Sequence, residues 1–370
     1  MPIPFNNGEF VCSKGSLNYQ AVLNDFKNAK QIRVLTYNIS KKNYSNVLID
    51  ALKRVPETVD VQIITNIPSR YQNYFNSYGG NKAKETYQQN LEAYLDKLNP
   101  ENFPSNPYVG FNFTNHAKII GTENIVYIGS ANYSDESKNN IESGTLVRDK
   151  DFIHKLYEEV FPVIVNESTP YFDDDFNILR LFAVSMGNKF SAWRCKFDES
   201  LVWENSDTKM YKIKSTLSFD LEDLEELAVD VEELVRLKSL IENTYTENDD
   251  EYNDLVDEIE EELNSISLTW MSDFVMPDSD FYNVISYDEE SKTYEYLQEY
   301  PDAYDENLDF YMEKAISTAH DEYEDMKSEI EDDLVFFYGE ITRISKLLSD
   351  MYDKIMEFPK TWIRKKIDNT

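Results

Sequence analysis

The sequence predicts an α/β domain with a mixed sheet flanked by helices, followed by an acidic, all-α domain. Both charge and turn-forming residues divide the 370-residue chain. Residues 1–170 carry 17 basic and 18 acidic side chains, whereas residues 171–370 carry 19 basic and 52 acidic ones. Eight of the ten glycines lie before residue 150. A turn-rich half followed by a turn-poor half rich in Leu, Glu and Asp is typical of this arrangement.

The first half alternates strand and helix patterns. Residues 31–38 are rich in β-branched and aromatic side chains and predict a strand, as do residues 59–65. Residues 46–55 between them carry apolar side chains at helical spacing, so the order indicates a parallel unit. The other predicted elements are a polar helix at 82–98, a loop at 99–107, strands at 115–120, 124–129 and 144–147, and a helix at 151–166.

The second half is predicted to be helical after a connecting region. We expect domains at 1–170 and 213–370, with 171–212 between them. The last and longest apolar stripe runs from Tyr323 to Phe358 in coiled-coil-like heptad steps, with one stutter between Met326 and Leu334. The core of a helical bundle and the seam of a coiled-coil dimer both fit this spacing.

Composition excludes several classes of protein. The first residues show no signal-peptide pattern, and no run of roughly 18 apolar residues occurs, so we expect a cytoplasmic protein without membrane contact. Two isolated cysteines, Cys12 and Cys195, make a disulfide framework or a zinc site improbable. The net charge of −34 argues against a protein that binds nucleic acid over its whole surface, but it leaves room for a local site in the neutral half.

One passage of the first half groups polar side chains around a histidine. On a strand, His116 and Lys118 are expected to point to the same side, and beyond a second strand Ser130 and Asn132 are again expected to share a face. Hydroxyl, amide and ammonium donors around one imidazole suit a phosphoryl group, which needs a nucleophile and donors for its oxygens. We expect Glu142 to accept a hydrogen bond from an imidazole nitrogen and fix its tautomer.

This passage resembles the HKD motif of the phospholipase D superfamily. The resemblance spans about residues 20–168 and implies a phospholipase D-like fold, with the matching residues His116, Lys118, Gly129, Ser130, Asn132 and Glu142. The family's aspartate after the lysine is matched at best by Glu123, and the spacing from there to Gly129 is one residue shorter than usual. The resemblance implies that His116 forms a covalent phosphohistidine and that neither a metal nor another cofactor is required.

The family mechanism uses two histidines, and this chain has a single His-x-Lys motif. His154 and His320 are not followed by lysine at the second position. The resemblance therefore implies a homodimer in which two copies of His116 face each other across a two-fold axis. Lys118, Ser130 and Asn132 are then expected to bind phosphate oxygens in each half of the shared site.

A DNA or RNA endonuclease is the leading hypothesis, because family members with one motif that act as dimers resemble nucleases more often than lipases. Arg70, Lys82 and Lys84 are candidate contacts to a phosphate backbone. The alternatives are a phospholipid-cleaving hydrolase and a non-enzymatic scaffold with a degenerate domain. Residues 173–175, three aspartates in a row, could ligate a hard cation, but an acidic surface turn is the favoured interpretation.

Three interpretations of the acidic half remain open. It could be a solvated helical bundle, an autoinhibitory element that repels nucleic acid from the catalytic domain, or a docking module for a basic protein partner. The last would suit a multi-protein bacterial or phage-related defence assembly. The sequence does not choose among them.

Overall fold

The computed structural model describes residues 3–5, 7–39, 46–67, 87–133, 139–174, 176–205, 210–213, 217–243, 250–300 and 307–357. Within them the chain divides into two compact units, one up to Phe182 and the other from Ala183 to Glu357.

The first unit is built on a mixed sheet. Its strands in the described residues are β1 (Ile3–Phe5), β2 (Gly8–Ser13), β3 (Gln31–Thr36), β4 (Asp60–Thr65), β5 (Tyr108–Phe111), β6 (Ile119–Thr122), β7 (Val126–Gly129), β8 (Glu142–Val147) and β9 (Thr169–Pro170). They lie in the order β1-β2-β8-β7-β6-β3-β4-β5-β9. β3 pairs in parallel with β4, and β4 with β5, whereas the other neighbouring strands run antiparallel.

Helices and turns connect these strands. They are α1 (Gln20–Asp25), α2 (Val47–Leu52), α3 (Tyr87–Leu98), α4 (Lys150–Lys155), a π-helical turn (Leu156–Val160) and α5 (Phe161–Asn166), with short 3-10 turns at Phe26–Asn28 and Pro100–Asn102. Asn46 caps α2 by accepting from the backbone N–H of Ile49 at 2.9 Å, and its amide donates to the carbonyl of Tyr133 at 3.2 Å. The cap thus ties α2 to the loop that follows β7.

One face of the sheet packs against the segment from α4 to α5. Its apolar cluster joins strand residues to helix residues, namely Leu35, Ile64, Ile119, Val126, Ile153, Leu156, Tyr157 and Phe161. The strands β3 and β4 are buried over most of their length, on both faces, which is typical of parallel strands that are covered on both sides. β3 and β4 therefore form the buried centre of the sheet, and both end at the same edge, where Thr36 is the register partner of Thr65.

The predicted fold class is confirmed, with specific errors in its elements. The parallel pair at 31–38 and 59–65 is present as β3 and β4. β1, β2, β5 and β9 were not predicted, and residues 115–118, predicted as strand, lie outside the sheet. There the side chain of Asn115 accepts from the backbone N–H of Ala117 at 3.0 Å, so a local side-chain bond replaces the ladder bond of a strand.

The second unit is mostly helical. α6 (Asn177–Ser200) leads into it, and an antiparallel hairpin of β10 (Leu201–Asn205) and β11 (Met210–Ile213) follows. The remaining helices in the described residues are α7 (Leu221–Asn243), α8 (Asp250–Asn264), α9 (Leu268–Val275), α10 (Asp280–Ser286), α11 (Glu289–Glu299), α12 (Leu308–Glu329) and α13 (Glu331–Glu357). The acidic half is therefore helical apart from this hairpin in the part that the structure describes.

The long apolar stripe is divided between two helices. α12 ends at Glu329 and α13 begins at Glu331, so the break falls within the stutter of the heptad pattern. The residues of the stripe in α13 are buried, namely Leu334, Phe337, Ile341, Ile344, Leu348, Met351 and Ile355. This burial makes the α13 part of the stripe a core element of the unit. Phe358, its predicted end, lies outside the described residues.

A buried ionic contact links α6 to α7. Asp230 is fully buried, accepts from Lys189 Nζ at 2.5 Å and from the indole N–H of Trp193 at 2.9 Å. Desolvation raises the pKa of the Asp230 carboxyl, while the ammonium and indole donors oppose that shift. The two helices are therefore joined by a hydrogen-bonded charge pair in addition to apolar packing.

The structure also describes the two cysteines and Asp174 of the 173–175 run. Cys12 and Cys195, the two cysteines of the chain, are not joined by a disulfide. Asp174 pairs with the buried guanidinium of Arg180, at 2.9 Å between Oδ2 and Nη2. In the part of the chain that the structure describes, no helix has the length and apolar composition needed to cross a membrane.

Candidate active site

The candidate site lies where the parallel strands β3 and β4 end. The carbonyl of Thr36 accepts from the backbone N–H of Asn66 at 3.1 Å and from the side-chain amide of Asn115 at 2.8 Å. The amide of Asn66 donates in turn to the carbonyls of Phe113 and Asn115, at 3.0 and 3.2 Å. These bonds attach the segment before β6 to the strand ends and fix the backbone next to His116.

His116 stands at the mouth of the site beside an aromatic ring. Its imidazole is exposed and lies 4.6 Å from the ring of Tyr37, measured between ring centroids. Lys118 Nζ lies 5.3 Å from the centroid of the same ring and donates to the carbonyl of His116 at 2.7 Å. Tyr37 thus contacts both groups of the His-x-Lys motif, although neither residue is on a strand.

Ser130, which follows β7, is hydrogen-bonded to Glu142 of β8. The backbone N–H of Ser130 donates to the carbonyl of Ser143 at 2.9 Å, and the Ser130 hydroxyl donates to Glu142 Oε2 at 2.5 Å. The expected bond from Glu142 to an imidazole nitrogen of His116 is therefore replaced by a bond to the Ser130 hydroxyl. The carboxylate positions this hydroxyl instead of the imidazole.

These residues border one cavity. Four of the five predicted catalytic residues line an open cavity of about 610 Å³, namely His116, Lys118, Ser130 and Asn132. Tyr37 and Ile128 also line it. The side-chain oxygen of Asn132 is buried and accepts no hydrogen bond from the described residues. Imidazole, ammonium, hydroxyl and amide groups therefore face one space of the size that a phosphate ester needs.

The Lys118 ammonium group at the cavity is partly buried. Partial burial lowers the pKa of the Lys118 ammonium from its ordinary value, and the nearby Glu142 carboxylate opposes this shift. An ammonium in a partly desolvated setting interacts more strongly with an anion than a fully solvated one does. Lys118 is thus placed to attract a phosphate oxygen at the side of the imidazole.

Two paired glycines shape the end of β7. Gly129 of β7 and Gly144 of β8 are register partners, and the buried ring of Tyr127 lies against both of them. A Cβ atom at either position would overlap this ring. The Tyr127 hydroxyl donates to the carbonyl of Ser143 at 3.0 Å. The glycines therefore let the tyrosine hold the backbone that carries Ser130.

Comparison with known proteins identifies a domain family for part of the chain. The family described as cardiolipin synthase, PLD-like domain, matches residues 22–162 of this chain. Residues 22–162 form a phospholipase D-like (PLD-like) domain. All residues that line the cavity lie within this range. No curated protein matches the chain.

Three solved structures share similarity with part of the chain. Nuc from Salmonella typhimurium is 18% identical, with 44% of this chain and 97% of that chain covered and a TM-score of 0.32. NucT from Helicobacter pylori is 19% identical, with 44% and 100% covered and a TM-score of 0.28. Phosphatidylserine synthase from Haemophilus influenzae is 14% identical, with 44% and 40% covered and a TM-score of 0.33.

Other predicted residues of the PLD-like domain are placed elsewhere or not described. Arg70, Lys82 and Lys84 lie outside the described residues. Glu123 accepts from the backbone N–H groups of Lys30 at 3.0 Å and of Gln31 at 3.1 Å. It therefore holds the beginning of β3, at the end of that strand away from Thr36.

Sequence reasoning missed three residues that build the site. Tyr37, Asn66 and Asn115 contact or support His116, and no role was assigned to them from the sequence. The positions of two of them in the sequence could have indicated their role, because Tyr37 directly follows β3 and Asn66 directly follows β4. Polar or aromatic residues just beyond parallel strands gather at one sheet edge, where α/β proteins place their ligands. In the part of the chain that the structure describes, no cluster of three His, Cys, Asp or Glu residues could hold a metal ion.

Proposed function

We propose that the PLD-like domain is a phosphodiesterase that uses His116 as its nucleophile and needs no metal. The observation that supports this most is the shared cavity of His116, Lys118, Ser130 and Asn132. An imidazole provides a nitrogen that attacks phosphorus, and Lys118 and the Asn132 amide offer donors to the phosphoryl oxygens. The Ser130 hydroxyl becomes a third donor when it turns from Glu142 to the substrate. A phosphodiester therefore finds both a nucleophile and charge stabilisation in one place.

The proposed reaction has two displacements. A nitrogen of His116 attacks phosphorus, a P–N bond forms, and the P–O bond to the leaving group breaks. The leaving oxygen receives a proton from a second imidazole. Water then attacks phosphorus, gives a proton to that second imidazole, and breaks the P–N bond, which returns His116 to its original state. Lys118, the Asn132 amide and the Ser130 hydroxyl, turned from Glu142 to the substrate, stabilise the negative charge on the non-bridging oxygens in both displacements.

The second imidazole is proposed to come from another copy of the chain. The sequence contains a single His-x-Lys motif, and the exposed imidazole of His116 lies at the mouth of an open cavity. Two such half-sites placed face to face give one complete site with two histidines. A homodimer is therefore part of the proposal.

Nucleic acid is the proposed substrate. Residues 1–170 carry almost balanced charge, so this half does not repel a polyanion as the acidic half does. The Tyr37 ring at the cavity offers a surface for stacking a base. A phospholipid substrate and a non-catalytic scaffold remain the alternatives. Restraint by the acidic half, a basic protein partner and a role in defence stay predictions.

Incubation with several phosphodiesters in EDTA tests the activity. The pure protein is offered single- and double-stranded DNA, RNA, phosphatidylcholine and bis(p-nitrophenyl) phosphate. We expect cleavage of nucleic acid by the wild-type chain and a loss of at least about 10³-fold in His116→Ala, because the nucleophile is removed. His154→Ala is the matched control, since it removes a histidine outside the cavity. Activity that requires added Mg²⁺ or survives in His116→Ala would refute the mechanism.

Subunit mixing tests the shared site. Wild-type and His116→Ala chains are combined at varying ratios and allowed to exchange subunits. A shared site needs two intact copies, so activity per total protein is expected to fall as the square of the wild-type fraction, to about one quarter at equal amounts. A linear fall to one half would show that each subunit acts alone.

A further inference from the structure

Charge pairing in the second unit reveals two basic side chains that differ from the rest. The structure describes ten Lys and Arg side chains between Ala183 and Glu357. Seven of them form ion pairs with carboxylates, namely Lys189, Lys196, Arg236, Lys292, Lys327, Arg343 and Lys354. Lys314 lies over the ring of Tyr300 at 4.7 Å. Arg194 and Lys346 form no ion pair with a described carboxylate.

Arg194 of α6 and Lys346 of α13 line the same groove. This groove has a volume of about 540 Å³. Its walls also carry the hydroxyls of Ser191 and Ser345, whose Oγ atoms lie 3.0 Å apart. The half of the chain that contains this groove has 52 acidic and 19 basic side chains. Two cations without carboxylate partners in one groove are therefore unusual in this half.

The groove is chemically suited to a phosphate group. A guanidinium presents parallel N–H donors to a phosphate, and an ammonium adds a point charge. The Ser191 and Ser345 hydroxyls share one hydrogen bond, which leaves one O–H to donate to a remaining oxygen. One carboxylate, that of Asp350, also lines the groove, which leaves a formal excess of one positive charge. The cations here thus exceed the acids, in contrast to the rest of the acidic half.

We propose that this groove binds a phosphate-bearing ligand, with Arg194 and Lys346 as the principal contacts. The phosphate belongs either to a free nucleotide or to the backbone of a nucleic acid, since both present the same group. The inference does not rest on catalysis by His116, because the groove belongs to the second unit. It assigns a binding role to a part of the acidic half, for which repulsion of nucleic acid was one of the three interpretations.

Binding measurements on the full chain test this site. Affinity is measured in EDTA by calorimetry for pyrophosphate and for a nucleoside triphosphate, and by fluorescence anisotropy for a labelled single-stranded oligonucleotide. The His116→Ala background prevents cleavage. The double variant Arg194→Gln/Lys346→Gln is expected to bind at least about tenfold more weakly, because both charge-assisted contacts are lost. Weakening for all three probes indicates phosphate recognition, and weakening for the oligonucleotide alone indicates a backbone site.

A matched control separates the site from net charge. Lys292→Gln/Lys354→Gln removes the same charge from two ion pairs outside the groove. We expect this control to bind like the background protein. Equal affinity of the two double variants for every probe would overturn the proposal.

A second measurement does not depend on folding of the variants. The native chain is labelled with acetic anhydride with and without pyrophosphate, and lysine acetylation is quantified by mass spectrometry. Lys346 is exposed and is expected to react several-fold more slowly when pyrophosphate is bound, whereas Lys292 keeps its rate. Unchanged labelling of Lys346 at saturating pyrophosphate and oligonucleotide would also overturn the proposal.

Discussion

At the scale of single residues, Tyr37 connects the two groups of the motif. Its ring lies 4.6 Å from the His116 ring and 5.3 Å from Lys118 Nζ. An exposed imidazole can rotate about its side-chain bonds, and a packed aromatic neighbour restricts that rotation. Tyr37 is therefore a positioning residue for the proposed nucleophile.

Replacement of the ring tests this role. Tyr37→Leu is expected to lower kcat by about tenfold, because a misaligned nucleophile loses part of the advantage of a fixed geometry. Tyr37→Phe keeps the ring and is expected to retain activity close to wild type. Steady-state kinetics with bis(p-nitrophenyl) phosphate separates kcat from KM and avoids any contribution from base stacking. An equal loss in both variants would assign the effect to the hydroxyl and contradict a positioning role for the ring.

The candidate site could be predicted from the sequence only in part. The motif placed His116, Lys118, Ser130 and Asn132 near each other, and the structure brings these four to one cavity. The hydrogen bond between Glu142 and Ser130 was not predictable. The two residues are 12 positions apart in the sequence, and whether they meet depends on the register of β7 with β8. Spacing along the chain fixes which side chains share a face, but not which of two nearby donors a carboxylate accepts from.

Among the secondary-structure elements, β7 and β8 can pair as they do only because glycine occupies two facing positions. The register pair Gly129 and Gly144 leaves the space that the Tyr127 ring occupies. Close packing of this kind tolerates added volume poorly. The position of Ser130 at the end of β7 is therefore coupled to the stability of the hairpin.

Glycine substitutions at two positions test this coupling. Gly129→Ala is expected to lower the free energy of unfolding by about 1–3 kcal/mol, because the new methyl overlaps the Tyr127 ring. Gly339→Ala is the control, since a Cβ there meets nothing within 4 Å in α13, and alanine is expected to stabilise the helix by up to about 1 kcal/mol. Urea unfolding monitored by circular dichroism measures both. A neutral Gly129→Ala would contradict the packing described for this junction.

The sequence predicted strongly patterned elements better than short ones. β3 and β4 were recognisable from their β-branched residues, and α13 from the helical spacing of its apolar residues. β5 has four residues and pairs with β4 far along the chain, so its assignment depends on tertiary contacts. Local side-chain bonds around Asn115 excluded residues 115–118 from the sheet, which a residue pattern does not show.

At the scale of the whole molecule, the separation of charge matters for a polyanionic substrate. The acidic half carries 52 acidic and 19 basic side chains, and the half with the PLD-like domain carries 18 and 17. The field of such a half repels nucleic acid over distances set by ionic strength. The acidic half is thus expected to slow encounter with nucleic acid even if it takes no part in the reaction.

Salt dependence tests this expectation. The Debye length falls from about 30 Å at 0.01 M salt to about 8 Å at 0.15 M. Screening is therefore expected to raise kcat/KM for an oligonucleotide, by about tenfold over this range, if repulsion limits encounter. The rate with singly charged bis(p-nitrophenyl) phosphate is expected to change little. A steady decrease of oligonucleotide cleavage with salt, as for ordinary cationic sites, would contradict repulsion by the acidic half.

Trapping of a covalent adduct tests the proposed mechanism most directly. The chain is mixed with bis(p-nitrophenyl) phosphate in EDTA, quenched rapidly in base, and analysed by intact and peptide mass spectrometry. The mechanism predicts a nitrophenyl phosphoryl adduct on the His116 peptide that is stable in base, labile in acid and missing in His116→Ala. Turnover by the wild-type chain without this adduct, or equal turnover by His116→Ala, would contradict His116 as the nucleophile.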